Sequence, residues 1–429
     1  MRKIVLAGMC IAMAGIVSAQ TDTRCGSSSY LKTLQVYYPE EYAAIKAEAE
    51  KNQLVTTTYR TNGGVYTIPV VVHIVYSTTA QNIDDEFVFS QLDVLNADYR
   101  RLNEDADETP GAFESLAADA QIEFCLAQQD PDGVITTGIT RTETDISSWS
   151  LFVSPTADNF ADNVKNSDKG GEDAWPRTDY LNMWVCNLGG GLLGYATPPG
   201  GASSKDGVVI GYKYFGDGSP GGVYNKGRTA THEVGHWLGL NHTWGDDDFD
   251  PEPQCSGSDG VDDTPNQEDA TYGAPSFPLL DDCSPTSPGI MFMNYMDYVD
   301  DGAMNMFTID QVAEMRDIME GSRVSILESV GCVPGNDDIA AVLHGQLIQL
   351  SIFPNPSNDV FVCEMKNFEG NDIIVEVYDF TGNLIDRVQM PNSGDAKAEF
   401  SVQALPAGTY LVKATDGEFI LTQQISVVK

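Results

Sequence analysis

The chain has 429 residues, which at about 150 residues per domain is enough for two or three folded units and too long for a single small module. Its 24 basic and 63 acidic residues give a formal charge of −39, which would repel phosphate backbones and anionic lipid headgroups and argues against nucleic acid as a partner. With 42% hydrophobic and 20% charged residues and no long block of one sign, the sequence can bury a core and is not a disordered acidic polymer.

In chain order, Arg2-Lys3, the apolar run Ile4 to Val17 and then Ser18-Ala19 have the charged, apolar and small-residue order of a secretory signal peptide, assigned to 1–19. The run is too short to span a bilayer, which takes about 20 residues, and no later segment is long and apolar enough to do so. Met9 stands where a lipid-modified Cys10 would need a small residue. Seven cysteines remain after the signal: 25, 125, 186, 255, 283, 332 and 363. In an oxidising compartment an odd count leaves at least one thiol for another task.

Residues 20–60 form a prosegment with no core of its own and one helix, Pro39 to Gln53, carrying Tyr42, Ile45 and Ala49 on one face. A compact domain, 61–335, opens with the β-branched run Thr67 to Tyr76, suited to a strand buried on both faces. An amphipathic helix over Phe87 to Leu102 follows, then strands at Gln121 to Leu126, Leu181 to Leu188 and Gly207 to Tyr214. This mixture predicts an α+β domain of α/β type built on a twisted sheet. From 346 to 429 the pattern changes to seven short alternating runs separated by turn signals such as Thr381-Gly382-Asn383 and Asp416-Gly417, predicting an all-β sandwich.

The sharpest feature is His232-Glu233-Val234-Gly235-His236-Trp237-Leu238-Gly239-Leu240-Asn241-His242. On a helix His232 and His236 lie one turn apart on the same face, so both imidazoles can reach one Zn²⁺ ion. Gly239 can take the left-handed conformation that ends the helix and lets His242 supply a third nitrogen. The fourth position is left for water, which the metal acidifies and Glu233 can deprotonate as general base. His73 and His344, the two histidines outside this run, read as structural.

HExxHxxGxxH, followed by Asn294-Tyr295-Met296-Asp297-Tyr298, resembles the metzincin metallopeptidases, and the text around it resembles their pappalysin branch, ulilysin-like and of cytophagalysin type, over about residues 61–332. The resemblance implies a secreted zinc metalloendopeptidase acting on protein or peptide substrates, with Met296 as the base beneath the zinc ligands. Tyr298 matches the tyrosine that stabilises the tetrahedral intermediate, as a phenol near the metal could. It further implies structural Ca²⁺ held by Asp259, the Thr264 carbonyl and Asp262 or Asp263; a solvated acidic loop is the alternative. Arginine is expected after the scissile bond, with Asp301 at the floor of its pocket, unless Asp301 is a solvated loop residue. Substrate is expected along an edge strand at Leu193, Gly194 and Tyr195.

Cys255 and Cys283 flank the acidic loop, and a bond between them would constrain the unfolded chain by about 3 kcal/mol. Cys125 with Cys186, and Cys332 with Cys363, are further pairs that sequence cannot assign. The Cys25 thiolate could fill the fourth zinc position in a latent form, a cysteine switch of the kind that metzincin zymogens use; an ordinary disulfide is the alternative. The last 83 residues, with Pro354-Asn355-Pro356 and Leu405-Pro406-Ala407-Gly408, resemble the C-terminal sorting domain of type IX secretion in Bacteroidetes. That implies the type IX machinery as a partner and export through the periplasm of a Gram-negative bacterium. A plain accessory sandwich is the other reading, and a catalytically silent, zinc-stabilised adhesin is the rival from a different class.

Overall fold

The computed structural model describes residues 24–53, 64–245, 255 and 257–333, and then 339–343, 346–353, 355, 357–368, 372–379, 383–390, 394–415 and 420–428. The signal peptide, His344 and the turn residues Thr381, Gly382, Asp416 and Gly417 lie outside them. Strand β1 (Tyr66–Tyr76) is the centre of a mixed sheet. On one flank it pairs in parallel with β2 (Ile122–Leu126) and, further along, with β3 (Ile139–Glu143). On the other it pairs with β4 (Leu181–Cys186), followed by parallel β6 (Val208–Gly211) and, antiparallel at the edge, β5 (Gly194–Ala196).

The period-two pattern of these strands feeds two cores. Ile68, Val70, Val72, Met183, Val185, Val208 and Ile210 face one layer with helices α3 (Asp85–Tyr99), α4 (Arg228–Trp237) and α5 (Ile309–Glu320). Val75, Trp184, Cys186, Tyr195 and Val209 face the other, where Tyr30 and Leu34 of α1 (Ser27–Tyr37) and Ile45 of α2 (Pro39–Gln53) complete a second core. The N-terminal segment, expected to have no core of its own, is therefore built into the sheet domain.

Helix α1 escapes the sequence pattern because tertiary packing of Tyr30 and Leu34 stabilises it, with no strong stripe of its own. Helix α3 begins two residues before Phe87 and ends at Tyr99, three residues short of Leu102. Helix α5 had a legible start: Thr308 and Gln311 form a reciprocal capping box.

Cys255 is bonded to Cys283, and Cys125 to Cys332. The second bond corrects the pairs left open above, Cys125 with Cys186 and Cys332 with Cys363. Cys186 turns into the second core and Cys363 into the sandwich core, both free and buried, so neither reaches the surface position where β2 meets the end of the domain. The C-terminal part is a sandwich of two four-stranded antiparallel sheets. One holds β7 (Ile339–Leu343), β8 (Gln346–Phe353), β9 (Val360–Phe368) and β12 (Gly394–Ser401). The other holds β10 (Ile373–Tyr378), β11 (Leu384–Met390), β13 (Gly408–Thr415) and β14 (Ile420–Val427). Among the described residues no helix is long and apolar enough to cross a membrane.

Candidate metal centre

Helix α4 is buried along its whole length, and its i, i+4 spacing sets His232 and His236 on one face. The chain reverses at Gly239, whose φ of +97° suits glycine and where a Cβ would come 3.0 Å from Ile318, and the turn brings His242 back to the helix. Nδ1 of His232 donates to the Tyr295 carbonyl and Nδ1 of His236 to the Leu240 carbonyl, each at 2.7 Å. With those protons committed, the two Nε2 atoms face each other as lone pairs at 3.2 Å, and His242 Nε2 lies 3.0 Å from that of His236. Such a cluster of nitrogens is repulsive without a cation at its centre. Its spacing suits Zn²⁺, whose tetrahedral edges are about 3.3 Å for bonds of about 2.0–2.1 Å. Burial, with His236 and His242 beside it, holds the His232 imidazole well below its usual range and so neutral, as a ligand must be.

Cys25 completes the group: its Sγ and the three imidazole nitrogens all lie within 4.8 Å of one another. The segment carrying it runs parallel to the edge strand β5, with Leu193 N–H donating to Arg24 O, Gly26 N–H to Gly194 O and Ala196 N–H to Ser27 Oγ. Oε2 of Glu233 accepts from Cys25 Sγ at 3.4 Å and from Ser27 Oγ at 3.2 Å. Burial and then the Glu233 carboxylate push the Cys25 thiol well up, so a thiolate here needs a positive charge beside it. Gly194 has no room for a side chain, since a Cβ would sit 2.8 Å from Glu233 Cγ. Tyr195 points away from the cleft into the second core, against Tyr30, so its backbone and not its ring faces the bound segment.

Arg24, one residue before Cys25, is 1% exposed and reaches Asp301, whose Oδ1 lies 3.2 Å from Nη2. The contact is through one oxygen only, because Oδ2 accepts from the backbone N–H of Lys226 and Arg228. Asp301 is itself wholly buried.

Met296 lies directly under α4: a Cβ on Gly235 would be 2.5 Å from its Sδ. The Tyr298 ring packs edge-on to His242 and Trp244 at 4.9 and 4.8 Å, and Trp244 stacks on His242 at 4.5 Å. Behind the ligands is a network that sequence reasoning missed. Arg228, at the start of α4, holds Asp105 bidentately at 2.6 Å and donates to the Asp301 and Met304 carbonyls. Asp98 accepts from Tyr295 at 2.7 Å and from Thr231 at 2.8 Å, tying the methionine turn to the zinc helix. The signal for both was a charged residue on an otherwise buried helix face, Arg228 standing four residues before His232.

In the acidic loop, Asp259 is buried and its carboxyl is pushed up to about 7, chiefly by burial, although Thr264 Oγ1 donates to it at 2.7 Å. Glu314 of α5, also missed, is pushed up to about 8 by burial and by Asp259 and Asp317. Asp262 is exposed. Both oxygens of Asp263 are engaged at the start of α5, by Thr308 Oγ1 at 2.6 Å and Asp310 N–H at 2.9 Å.

Two family models match: pregnancy-associated plasma protein-A over residues 164–320 and the secretion system C-terminal sorting domain over 351–428. Tannerella forsythia mature mirolysin in complex with a cleaved peptide is 51% identical, covers 62% of this chain and 96% of its own, and superimposes with a TM-score of 0.58. A promirolysin mutant from the same organism is 47% identical over 71% of this chain and 97% of its own, with a TM-score of 0.63. An extracellular metalloprotease of Pyricularia oryzae is 29% identical over 73% of this chain and 94% of that protein. One from Verticillium alfalfae is 42% identical over 32% of this chain and 48% of that protein, and the chain spans about half the length of several further fungal relatives.

Proposed function

The chain belongs to the pregnancy-associated plasma protein-A, or pappalysin, family of zinc metalloendopeptidases and carries a secretion-sorting domain, and from that premise we propose a secreted zymogen that hydrolyses peptide bonds before arginine. The reading is carried by one observation: three inward imidazole nitrogens, a carboxylate and a prosegment thiol meet at one point. His232, His236 and His242 would hold a Zn²⁺ ion, which when bound would supply Lewis acidity toward the scissile carbonyl and water. Glu233, beside the ligands and outside their set, takes the proton from that water and passes it to the departing amine. Tyr298, whose ring packs on His242, would donate to the oxyanion. The N–H of Ala196 and the carbonyl of Gly194, both used by the prosegment, are the groups that substrate backbone would pair with. The relatives that are themselves proteases leave no support for the silent-adhesin alternative. The test is casein hydrolysis by the N-terminally trimmed enzyme: a chelator should abolish it and added Zn²⁺ restore it, and chelator-resistant hydrolysis would overturn the metal reading.

In this reading residues 20–60 are the prosegment, 61–335 the catalytic domain and 346–429 the sorting domain, exported by the type IX machinery through the periplasm. Cys25 is the residue that blocks the metal in the latent form. Arg24 supports the arginine preference, since the prosegment itself lodges a guanidinium on the buried Asp301 carboxylate. Asp301→Asn keeps the acceptor for the Lys226 and Arg228 amides while removing the charge. It should lower kcat/KM for arginine-containing peptides about 10- to 100-fold relative to leucine-containing ones, as loss of a charge-assisted bond predicts. An unchanged cleavage profile would assign the preference elsewhere. Structural calcium is supported at Asp259, Thr264 and Glu314, where burial holds both carboxyls up and Asp259 raises that of Glu314, a repulsion that a divalent cation would relieve. Asp263 is better explained as the cap of α5.

A further inference from the structure

Past Ala196 the edge strand leads to Thr197, which is bonded to a group of charges unusual in so acidic a protein. Lys165 is wholly buried, its Nζ 3.1 Å from Asp162, 2.9 Å from Thr197 Oγ1 and 3.0 Å from the Lys205 carbonyl. Lys205 Nζ lies 3.1 Å from Asp162 and 3.1 Å from Glu41. Glu41 belongs to α2 of the prosegment, and its second oxygen accepts from the backbone N–H of Ala202 at 3.4 Å. The prosegment also lays Tyr38 against Lys205, with the ring centroid 4.5 Å from Nζ, and directs the Tyr30 hydroxyl to Asp162 at 3.1 Å. Arg177 adjoins the same loop through the Gly201 carbonyl at 2.9 Å.

Apart from Asp206, which pairs with Arg177 and Arg323, the carboxylates paired with these two lysines are one from the sheet domain and one from the prosegment. Lys165 and Lys205 face Asp162 and Glu41, two against two; when α2 departs, two ammonium groups share one carboxylate. An ammonium that has lost one of its two carboxylates has a place for another anion at hydrogen-bonding distance. The direction along the cleft says which anion. Arg24 on Asp301 marks the side taken by residues after the scissile bond, Cys25 marks the metal, and Ser27 on Ala196 leads the other way, toward Thr197 and Lys205.

We propose that the Lys205 ammonium and the Ala202 N–H, filled by Glu41 in the zymogen, form in the mature enzyme a subsite for an acidic side chain of the substrate lying N-terminal to the scissile bond. At about 3.3 Å per residue of extended chain, the position lies about two to four residues before that bond. The inference rests on the zymogen reading, because the subsite opens only when the prosegment leaves. A good substrate then carries an acidic residue ahead of the cut and arginine behind it, so that Lys205 and Asp301 select opposite charges on opposite sides of the metal.

The test uses the N-terminally trimmed enzyme and a set of peptides, all with arginine after the cleaved bond, in which glutamate or glutamine is placed in turn at the second to fifth residue before it. Wild type should favour glutamate about five- to tenfold in kcat/KM at one or two adjacent positions. Lys205→Ala should bring that ratio to within about twofold of unity, and Lys205→Arg should retain most of it, separating a lost charge from lost packing. No preference at any position, or a preference that survives in Lys205→Ala, overturns the subsite. If the untrimmed chain is as active as the trimmed one, the zymogen reading fails with it; if trimming activates but the ratios are flat, only the subsite fails.

Discussion

Glu233→Ala in the trimmed enzyme is expected to lower casein hydrolysis about 10³- to 10⁴-fold with zinc content unchanged. The carboxylate is wholly buried, and its Oε2 accepts from Ser27 and Cys25 of the N-terminal segment. It belongs to the helix that carries two of the ligands but is not itself one of them, so its loss removes a base and leaves the ion in place. Glu233→Gln keeps the shape, including the packing on Gly194, and should be nearly as inactive, which sets basicity apart from bulk. Metal content by atomic spectroscopy beside the rate decides the matter. A variant that keeps its zinc and retains more than a tenth of the parental rate would remove Glu233 from the mechanism.

Cys25→Ala in the full-length chain should shorten the time to half-maximal activity at least tenfold, on the order of what losing a metal–thiolate contact entails. The substitution leaves the remainder of the prosegment docked, since Tyr30, Leu34 and Ile45 still fill the second core and Arg24 still meets Asp301. It therefore isolates the metal-facing thiol from steric cover. A purified variant that stays as latent as its parent would assign latency to that cover and leave Cys25 as a packing residue. Cys25→Ser, which restores volume without a soft ligand, should behave like alanine.

The centre was legible because its chemistry is local in sequence: one helical turn, one glycine and one further turn place His232, Glu233, His236 and His242. The strands were legible for a similar reason, β1 announcing itself by β-branched residues on both faces. What was not legible depends on long-range closure. Arg24 meets Asp301 across 277 positions, and Asp98 meets Tyr295 across 197. The partner of Cys125 lies 207 residues away, a pairing that only the path of the sheet can reveal. Helix α1 likewise needs the sheet face that it covers, because its own residues supply too narrow an apolar stripe.

The parallel pairing of the prosegment with β5 has a kinetic consequence. On the proposed arginine reading, the substrate residue that enters the Asp301 pocket follows the bond to be cut, whereas here Arg24 meets Asp301 and the chain then proceeds to the imidazole cluster with Cys25. The prosegment thus lies backwards in the cleft, with a side chain and no scissile carbonyl opposite Glu233. A single molecule holding this arrangement has nothing of its own to cut there. On the zymogen reading, removal of the prosegment therefore calls for a cut elsewhere in the chain than the bond beside Cys25. A half-time of activation that shortens as the zymogen is concentrated would mark that cut as made between molecules, and one independent of concentration would mark it as made within one.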